Sequence, residues 1–337
     1  MAACRFVIRA VEACDDRAVR QNRAGAGARP VAGVPTIALE PPVPSLATAR
    51  RLTPGLFALF VATVIATAGT PASASPASPA APSQVRAGTA GPALAVAADL
   101  TATIRLNNCS ASLVRFPTSV GTDRAMMLTN GHCFEGGLLA AGQVIVNRAS
   151  TRRGTLLNAS GSAVATLTAD RLLYATMTGM DVSLYRLTST FAAIQSATGQ
   201  APRTISASHP VVGSTFVPSG FFARVFACNI SAFVPTLRES VWTWHDSIRY
   251  DAACAIIHGT SGSPVVSTAT GEVVGINNTN NDNGQVCTLN NPCEVAADGT
   301  TTVRQGQGYG QETYWFTTCL TASRTIDLTL AGCLLTR

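Results

Sequence analysis

From about residue 100 to its end the chain is written in short runs, each apolar or alternating and each closed by Gly, Asn, Asp or Pro. Residues 112–116, 125–129, 143–146, 163–167, 182–187, 214–217, 223–227, 265–267 and 272–276 are runs of this kind. Such runs are too brief for packed helices, whereas a period of two sets one face of a strand against a core. The spacing predicts an all-β barrel or sandwich, between which periodicity alone does not choose. The sequence carries no repeat of fixed period, which argues against solenoids and propellers.

The cysteines point to where such a fold matures. Of ten, Cys4 and Cys14 lie near the start, and eight follow: Cys109, Cys133, Cys228, Cys254, Cys287, Cys293, Cys319 and Cys333. An even number beyond an export signal reads as disulfides formed outside the cytoplasm. Metal ligation is the competing reading, but the chain has no Cys-x-x-Cys pair and its four histidines are scattered, so no metal site is expected. The export signal is Arg50-Arg51, an apolar run over 56–68 and then Ala72-Ser73-Ala74, a small-residue cleavage pattern. A membrane span needs about twenty apolar residues, so no membrane association is expected after cleavage. The domain reading is a polar leader over 1–49, which is discarded or not translated, and a signal peptide over 50–74. A Pro/Ala/Ser-rich linker or short propeptide follows over 75–99, and one folded region over 100–337.

The formal charge of +6 suggests an anionic partner until it is divided along the chain. Residues 1–74 hold eight arginines against four acids, and residues 75–337 hold sixteen against fourteen. The folded part is nearly neutral and its basic residues are scattered, so nucleic acid is not an expected partner. All the basic chains are arginine, with no lysine; together with the alanine-rich leader this reads as a GC-rich bacterial genome.

One serine is set apart from the many. Ser261 lies in His258-Gly259-Thr260-Ser261-Gly262-Ser263-Pro264, a tight turn of small residues in which a hydroxyl meets a carbonyl unobstructed. A serine hydroxyl is a weak nucleophile until a base takes its proton, so a histidine and a carboxylate are required elsewhere. His132 follows the apolar run Met127-Leu128-Thr129. Asp181 opens Asp181-Val182-Ser183-Leu184-Tyr185-Arg186-Leu187, with Asp170 in reserve and Asp123 a further rival.

In the order His, Asp, Ser the chain resembles the trypsin/chymotrypsin-like serine peptidases. Cys109-Ser110-Ala111-Ser112-Leu113-Val114 is similar to the family's Cys-Gly-Gly-Ser-Leu-Ile, and Leu128-Thr129-Asn130-Gly131-His132-Cys133 to Leu-Thr-Ala-Ala-His-Cys. The serine motif is similar to Gly-Asp-Ser-Gly-Gly-Pro. The resemblance spans roughly residues 105–280. It implies two antiparallel six-stranded β-barrels with the site in the cleft between them, and a Cys109–Cys133 bridge. It also implies a secreted endopeptidase with a peptide or protein substrate and no cofactor. In it His132 is the base, Asp181 orients His132, Ser261 attacks, and the backbone N–H groups of Gly259 and Ser261 form the oxyanion hole. The other six cysteines are not assigned by the resemblance; nearest-neighbour pairing is the working expectation.

Two departures carry information. Thr260 stands where the animal enzymes have the Asp that receives the new N-terminus, and a threonine cannot pair an ammonium by charge, so that activation is not expected. Gly-Thr-Ser-Gly-Ser-Pro-Val is nearer the bacterial secreted branch that includes glutamyl endopeptidases. Ser263 also breaks the Gly-x-Ser-x-Gly elbow of lipases. Ala255 stands where trypsin-like members carry an acid, so cleavage after Arg or Lys is not implied. The strand through Asn277 and Asn278 is expected to wall the specificity pocket and pair with substrate, with His258 at the rim. Residues 281–310 read as a long loop pinned by Cys287 and Cys293, and the end from Tyr314 to Cys333 is left open. Two rivals stand beside the peptidase: an inactive homologue serving as an extracellular binding module, and an esterase on the same nucleophile.

Overall fold

The computed structural model describes residues 95–337. The expected leader over 1–49, the expected signal peptide over 50–74 and residues 75–94 of the expected linker lie outside the described residues.

The short runs pair into two antiparallel rings. The first is built from β1 (Thr103–Arg105), β2 (Ser110–Arg115), β3 (Arg124–Thr129), β4 (Val144–Ala149), β5 (Arg153–Leu157), β6 (Ala163–Thr176) and β7 (Val182–Thr190). Their order is β1-β5-β6-β7-β3-β2, and β2 pairs again with β1, closing six strands; β4 lies outside the ring on β6. A short helix, α1 (Phe191–Thr198), capped by the Thr190 side chain, and β8 (Arg203–Thr204), parallel to β2, lead out of it.

The second ring uses β9 (Gly213–Ser219), β10 (Arg224–Glu239), β11 (Trp242–Tyr250), β12 (Pro264–Ser267), β13 (Val273–Asn280) and β16 (Gly308–Glu312), with β14 (Cys293–Val295) and β15 (Thr301–Thr302) between the last two in sequence. Its order is β11-β16-β13-β12-β9-β10, closed by β10 on β11, while β14 and β15 extend from β10. Closure leaves neither ring an open edge, which a strand of exposed N–H and C=O groups would otherwise present for aggregation. The architecture is the double six-stranded barrel, not a sandwich.

The apolar residues of these strands fill the barrels, and β2 and β3 are buried on both faces. Leu113, Met127, Leu128, Tyr174 and Tyr185 are fully buried in the first, and Val217, Ile248, Tyr250 and Val265 in the second. Disulfides join Cys109 to Cys133, Cys228 to Cys254, Cys287 to Cys293 and Cys319 to Cys333. Each closes a short sequence gap, and each removes conformational entropy from the unfolded chain, typically about 2–4 kcal/mol per bridge. Among the described residues no helix is long and apolar enough to cross a membrane.

Two stretches differ from the sequence reading. Residues 281–310 are more than a loop: β14, β15 and the start of β16 lie there, because β10 is long enough to take β14 as a neighbour beyond the ring. The end from Tyr314 runs as a 3₁₀ turn (Tyr314–Cys319) and loops closed by Cys319–Cys333; the alternation at Ile326, Leu328 and Leu330 yields only a Leu320–Ile326 bridge.

Candidate active site

β3 runs out at Thr129, and Asn130-Gly131-His132 turns beside the start of β7. Gly131 is required by that approach, since a Cβ there would collide with the Thr176 carbonyl and come within 2.9 Å of Asp181 Oδ1. Asp181 is fully buried. Its Oδ1 accepts the His132 amide at 2.9 Å, and its Oδ2 lies 2.7 Å from His132 Nδ1. Its own carbonyl accepts from the Asn130 side chain at 2.8 Å. A carboxylate only accepts, so Nδ1 carries the proton and Nε2 is left with a lone pair. The rivals are engaged elsewhere: Asp170 is held by Arg186 at 2.9 and 3.0 Å, and Asp123 by Arg324 at 2.8 Å.

Opposing effects act on His132. Burial, the largest, disfavours the imidazolium, while the charge and hydrogen bond of Asp181, with a smaller pull from Glu239, favour it; the result lies above the ordinary histidine value. A base must be neutral to accept a proton. If His132 is the base of a peptidase, the acid limb of kcat/KM for peptide cleavage is expected above 6.5, the ordinary value, with activity lost as pH falls through it. A pH profile with its half-point below 6.5 would count against His132 as the base.

The serine turn is seated against the first barrel. Ser110 N donates to Ser261 O at 2.8 Å, and Gly262 N to Asn277 O at 3.0 Å. Gly262 has φ +80°, and a Cβ there would collide with the Ser110 carbonyl and the Thr129 hydroxyl, so only glycine lets the turn sit this close. Thr260 is buried; its hydroxyl donates to Ile257 O at 2.5 Å and accepts from the Asn277 side chain at 3.0 Å. Ile257, just before the turn, and Asn277 of β13 thus satisfy the position where the animal enzymes have Asp. The amides of Gly259 and Ser261 donate no hydrogen bond within the described chain, while those of Thr260 and Gly262 point inward to Ile257 O and Asn277 O. Ser261 Oγ donates to the Asn278 carbonyl at 3.2 Å.

Both halves face one cleft of about 360 Å³, lined by His132 and Asp181 on one side and by Gly259, Ser261, Asn277 and Asn278 on the other. Asn277 and Asn278 are buried in its wall; the side-chain amide of Asn278 has no hydrogen-bond partner among the described residues. His258 is on the rim, exposed, with Nε2 2.7 Å from Asp282. Ala255 is not brought to the cleft. It lies between Cys254, bridged to Cys228, and Ile256, packed in the second barrel's core, and the alternation turns it to solvent.

Several lining residues escape the sequence reading, and three of them bear directly on the site. Glu239, at the end of β10, is buried, accepting from the Thr279 hydroxyl at 2.6 Å and the Asn290 amide at 2.9 Å. Burial above all, with Asp181 nearby, raises its pKa, against the lowering by those hydrogen bonds and by His132. Trp242 and Trp244 in β11 donate their indole N–H groups to Leu139 O and Met177 O of the first barrel, each at 2.9 Å, and so brace the cleft. The signal for Glu239 was its place two residues after Leu237, on the same inward face. Cys109 and Cys133 lie beside His132 but are bonded to each other and offer no thiolate to a metal.

Residues 118–276 match the model of the trypsin-like peptidase domain. Over that stretch the chain is similar to this domain. The matched stretch of that domain includes His132, Asp181 and Ser261. Among solved structures, an inactive form of Rv3671c from M. tuberculosis H37Rv is 11% identical, with 63% of this chain and 81% of that chain covered at a TM-score of 0.36. The MamO protease domain from Magnetospirillum magneticum is 15% identical, with 64% and 93% covered and a TM-score of 0.38. The HtrA-type protease AlgW is 19% identical, with 61% and 48% covered and a TM-score of 0.35. These likenesses are remote and bear on neither activity nor substrate. No curated protein matches the chain.

Proposed function

We propose that the trypsin-like domain is a serine endopeptidase acting through an acyl-enzyme. The observation that carries this reading is the Asp181–His132 pair at 2.7 Å, facing the Ser261 turn across a single cleft. Ser261 Oγ leaves the Asn278 carbonyl, passes its proton to His132 Nε2 and attacks the substrate carbonyl. The N–H groups of Gly259 and Ser261 take the oxyanion, each such donor stabilising the transition state by roughly 2.7–4 kcal/mol. The imidazolium, steadied by Asp181, returns the proton to the leaving amine, and water then hydrolyses the ester with His132 again as base. Substrate adds as a strand beside Asn277 and Asn278, its backbone giving affinity.

The cleft walls hold two carboxylates, Asp181 and Glu239, and no arginine. An acidic substrate side chain is disfavoured there unless Glu239 is protonated, which argues against a glutamyl preference. The export pattern before residue 75 and the four disulfides support secretion from a bacterial cell.

The test is a fluorophosphonate, which forms a covalent bond only with an activated serine, followed by peptide mapping and by sequencing the new termini in a denatured protein mixture. Labelling at Ser261 with new internal termini is expected. Labelling with ester turnover and no peptide cleavage would favour the esterase, and no label on correctly bridged protein the binding module.

A further inference from the structure

Outside the cleft lining, three chain segments bring chemistry together on the second barrel. His209 comes from the connection between β8 and β9, Asp246 from β11 and Glu312 from the end of β16. His209 Nε2 lies 3.2 Å from Asp246 Oδ2 and 3.0 Å from Glu312 Oε1, and the three donor atoms all lie within 4.8 Å of one another. None of the three residues lines the cleft.

Two facts set this cluster apart from a surface ion pair. Glu312 is 3% exposed, and neither of its carboxylate oxygens accepts a hydrogen bond, although His209 stands beside it. No arginine pairs with Glu312 or Asp246 among the described residues; His209 is their one basic partner. One imidazole thus faces two carboxyl groups, one of them buried, with no fixed cation to balance them. The second fact is the tautomer. His209 Nδ1 is 2.6 Å from the Pro210 carbonyl, which only accepts, so Nδ1 holds a proton and Nε2 is the nitrogen facing the carboxylates. A histidine that donates one ring N–H to a backbone carbonyl and presents the other nitrogen to oxygen ligands is arranged as metal-binding histidines are. Phe233 and Tyr314 flank the ring at centroid distances of 4.5 and 5.5 Å and fix its orientation.

The spacing agrees. Two donors bound to one Zn²⁺ at about 2.0–2.1 Å stand roughly 2.8–3.4 Å apart at octahedral to tetrahedral angles. The His209 side chain is 41% exposed and that of Asp246 32%, which leaves an ion a route from solvent and room for water ligands.

We propose that His209 Nε2, Asp246 Oδ2 and Glu312 Oε1 form a binding site for a divalent first-row transition ion, Zn²⁺ by its donor set. One imidazole with two carboxylates suits Zn²⁺ better than the all-oxygen preference of Ca²⁺ or Mg²⁺. The ion ties the connection between the barrels to β11 and β16, and its role is structural. The inference needs only the folded chain and does not depend on the peptidase reading.

The experiment is calorimetric titration of the purified, disulfide-intact full chain with Zn²⁺ after treatment with a chelator, alongside thermal unfolding with and without the ion. About one equivalent is expected to bind, with a higher Tm. His209→Gln and Glu312→Gln, both close in shape to the native residues, should each weaken binding at least about 10-fold. Asp246→Asn, on the exposed side, provides a third variant if either of the others fails to fold. Absence of Zn²⁺ binding to the folded chain, binding undiminished in the folded variants, or tighter binding of Ca²⁺ than of Zn²⁺ would each overturn the proposal.

Discussion

Ser261→Ala is expected to lower kcat for peptide cleavage by about 10⁶-fold, leaving the residual rate that binding and oxyanion donors supply without a nucleophile. The size follows from the proposed mechanism: with no hydroxyl there is no acyl-enzyme, and His132 has no serine proton to accept. The fold should be nearly indifferent. Ser261 Oγ makes one hydrogen bond, to the Asn278 carbonyl at 3.2 Å, on a half-buried side chain. Its loss costs about 0.5–1.5 kcal/mol. The backbone of the turn, held by Ser110 N, Gly262 N and Ser263 N, keeps its bonds. Turnover of purified variant and wild type, each with its unfolding curve, makes the comparison. A variant that unfolds normally and still cleaves at the native rate would end the serine mechanism.

Asp181→Asn is expected to lower kcat by about 10⁴-fold with little change in side-chain volume. An asparagine can still present its oxygen to the His132 amide, but its NH₂ then faces Nδ1 and makes that nitrogen the acceptor. The proton moves to Nε2, the atom that must take the Ser261 proton, and the base is blocked. The residual activity carries a second signature. In the native protein burial pulls His132 down, and the Asp181 charge and hydrogen bond more than offset it. With the charge gone burial prevails, so the acid limb of the residual pH profile should move to lower pH than in the wild type. A loss of rate with no shift would mean that Asp181 acts only by position. The same coupling bears on stability: His132, raised in the fold, contributes stability present below 6.5, its unfolded value, and lost as pH rises through the folded value.

The sequence by itself determined what depends on neighbours along the chain. Period-two runs ended by turn residues specify strands, because a strand's faces alternate whatever lies opposite. Most of the runs read from the sequence fall within β2, β3, β4, β6, β7, β9, β10, β12 and β13. The glycines around Ser261 were legible for the same reason: the turn needs residues without a Cβ at that spot, and Gly262 is seated where a Cβ has no room. Asp181 stood out in the sequence because it opens an apolar strand; that it lies against His132, while Asp170 is held by Arg186 and Asp123 by Arg324, one of them far along the chain, took the fold to show.

Ring closure decided the rest. Ala255 had the right distance from Ser261 in sequence, but the Cys228–Cys254 bridge and the burial of Ile256 fixed which way it faced. Glu239, Trp242 and Trp244 reach the cleft because β10 and β11 close the second barrel against the first. His209, Asp246 and Glu312 are scattered over about a hundred residues of sequence and meet only where β11 pairs with β16 beneath the connection between the barrels. A pattern of burial is a local property of alternation, and a chain can state it one strand at a time. The convergence of side chains from separate strands depends on register and closure, which long-range pairing sets and no single stretch of sequence contains.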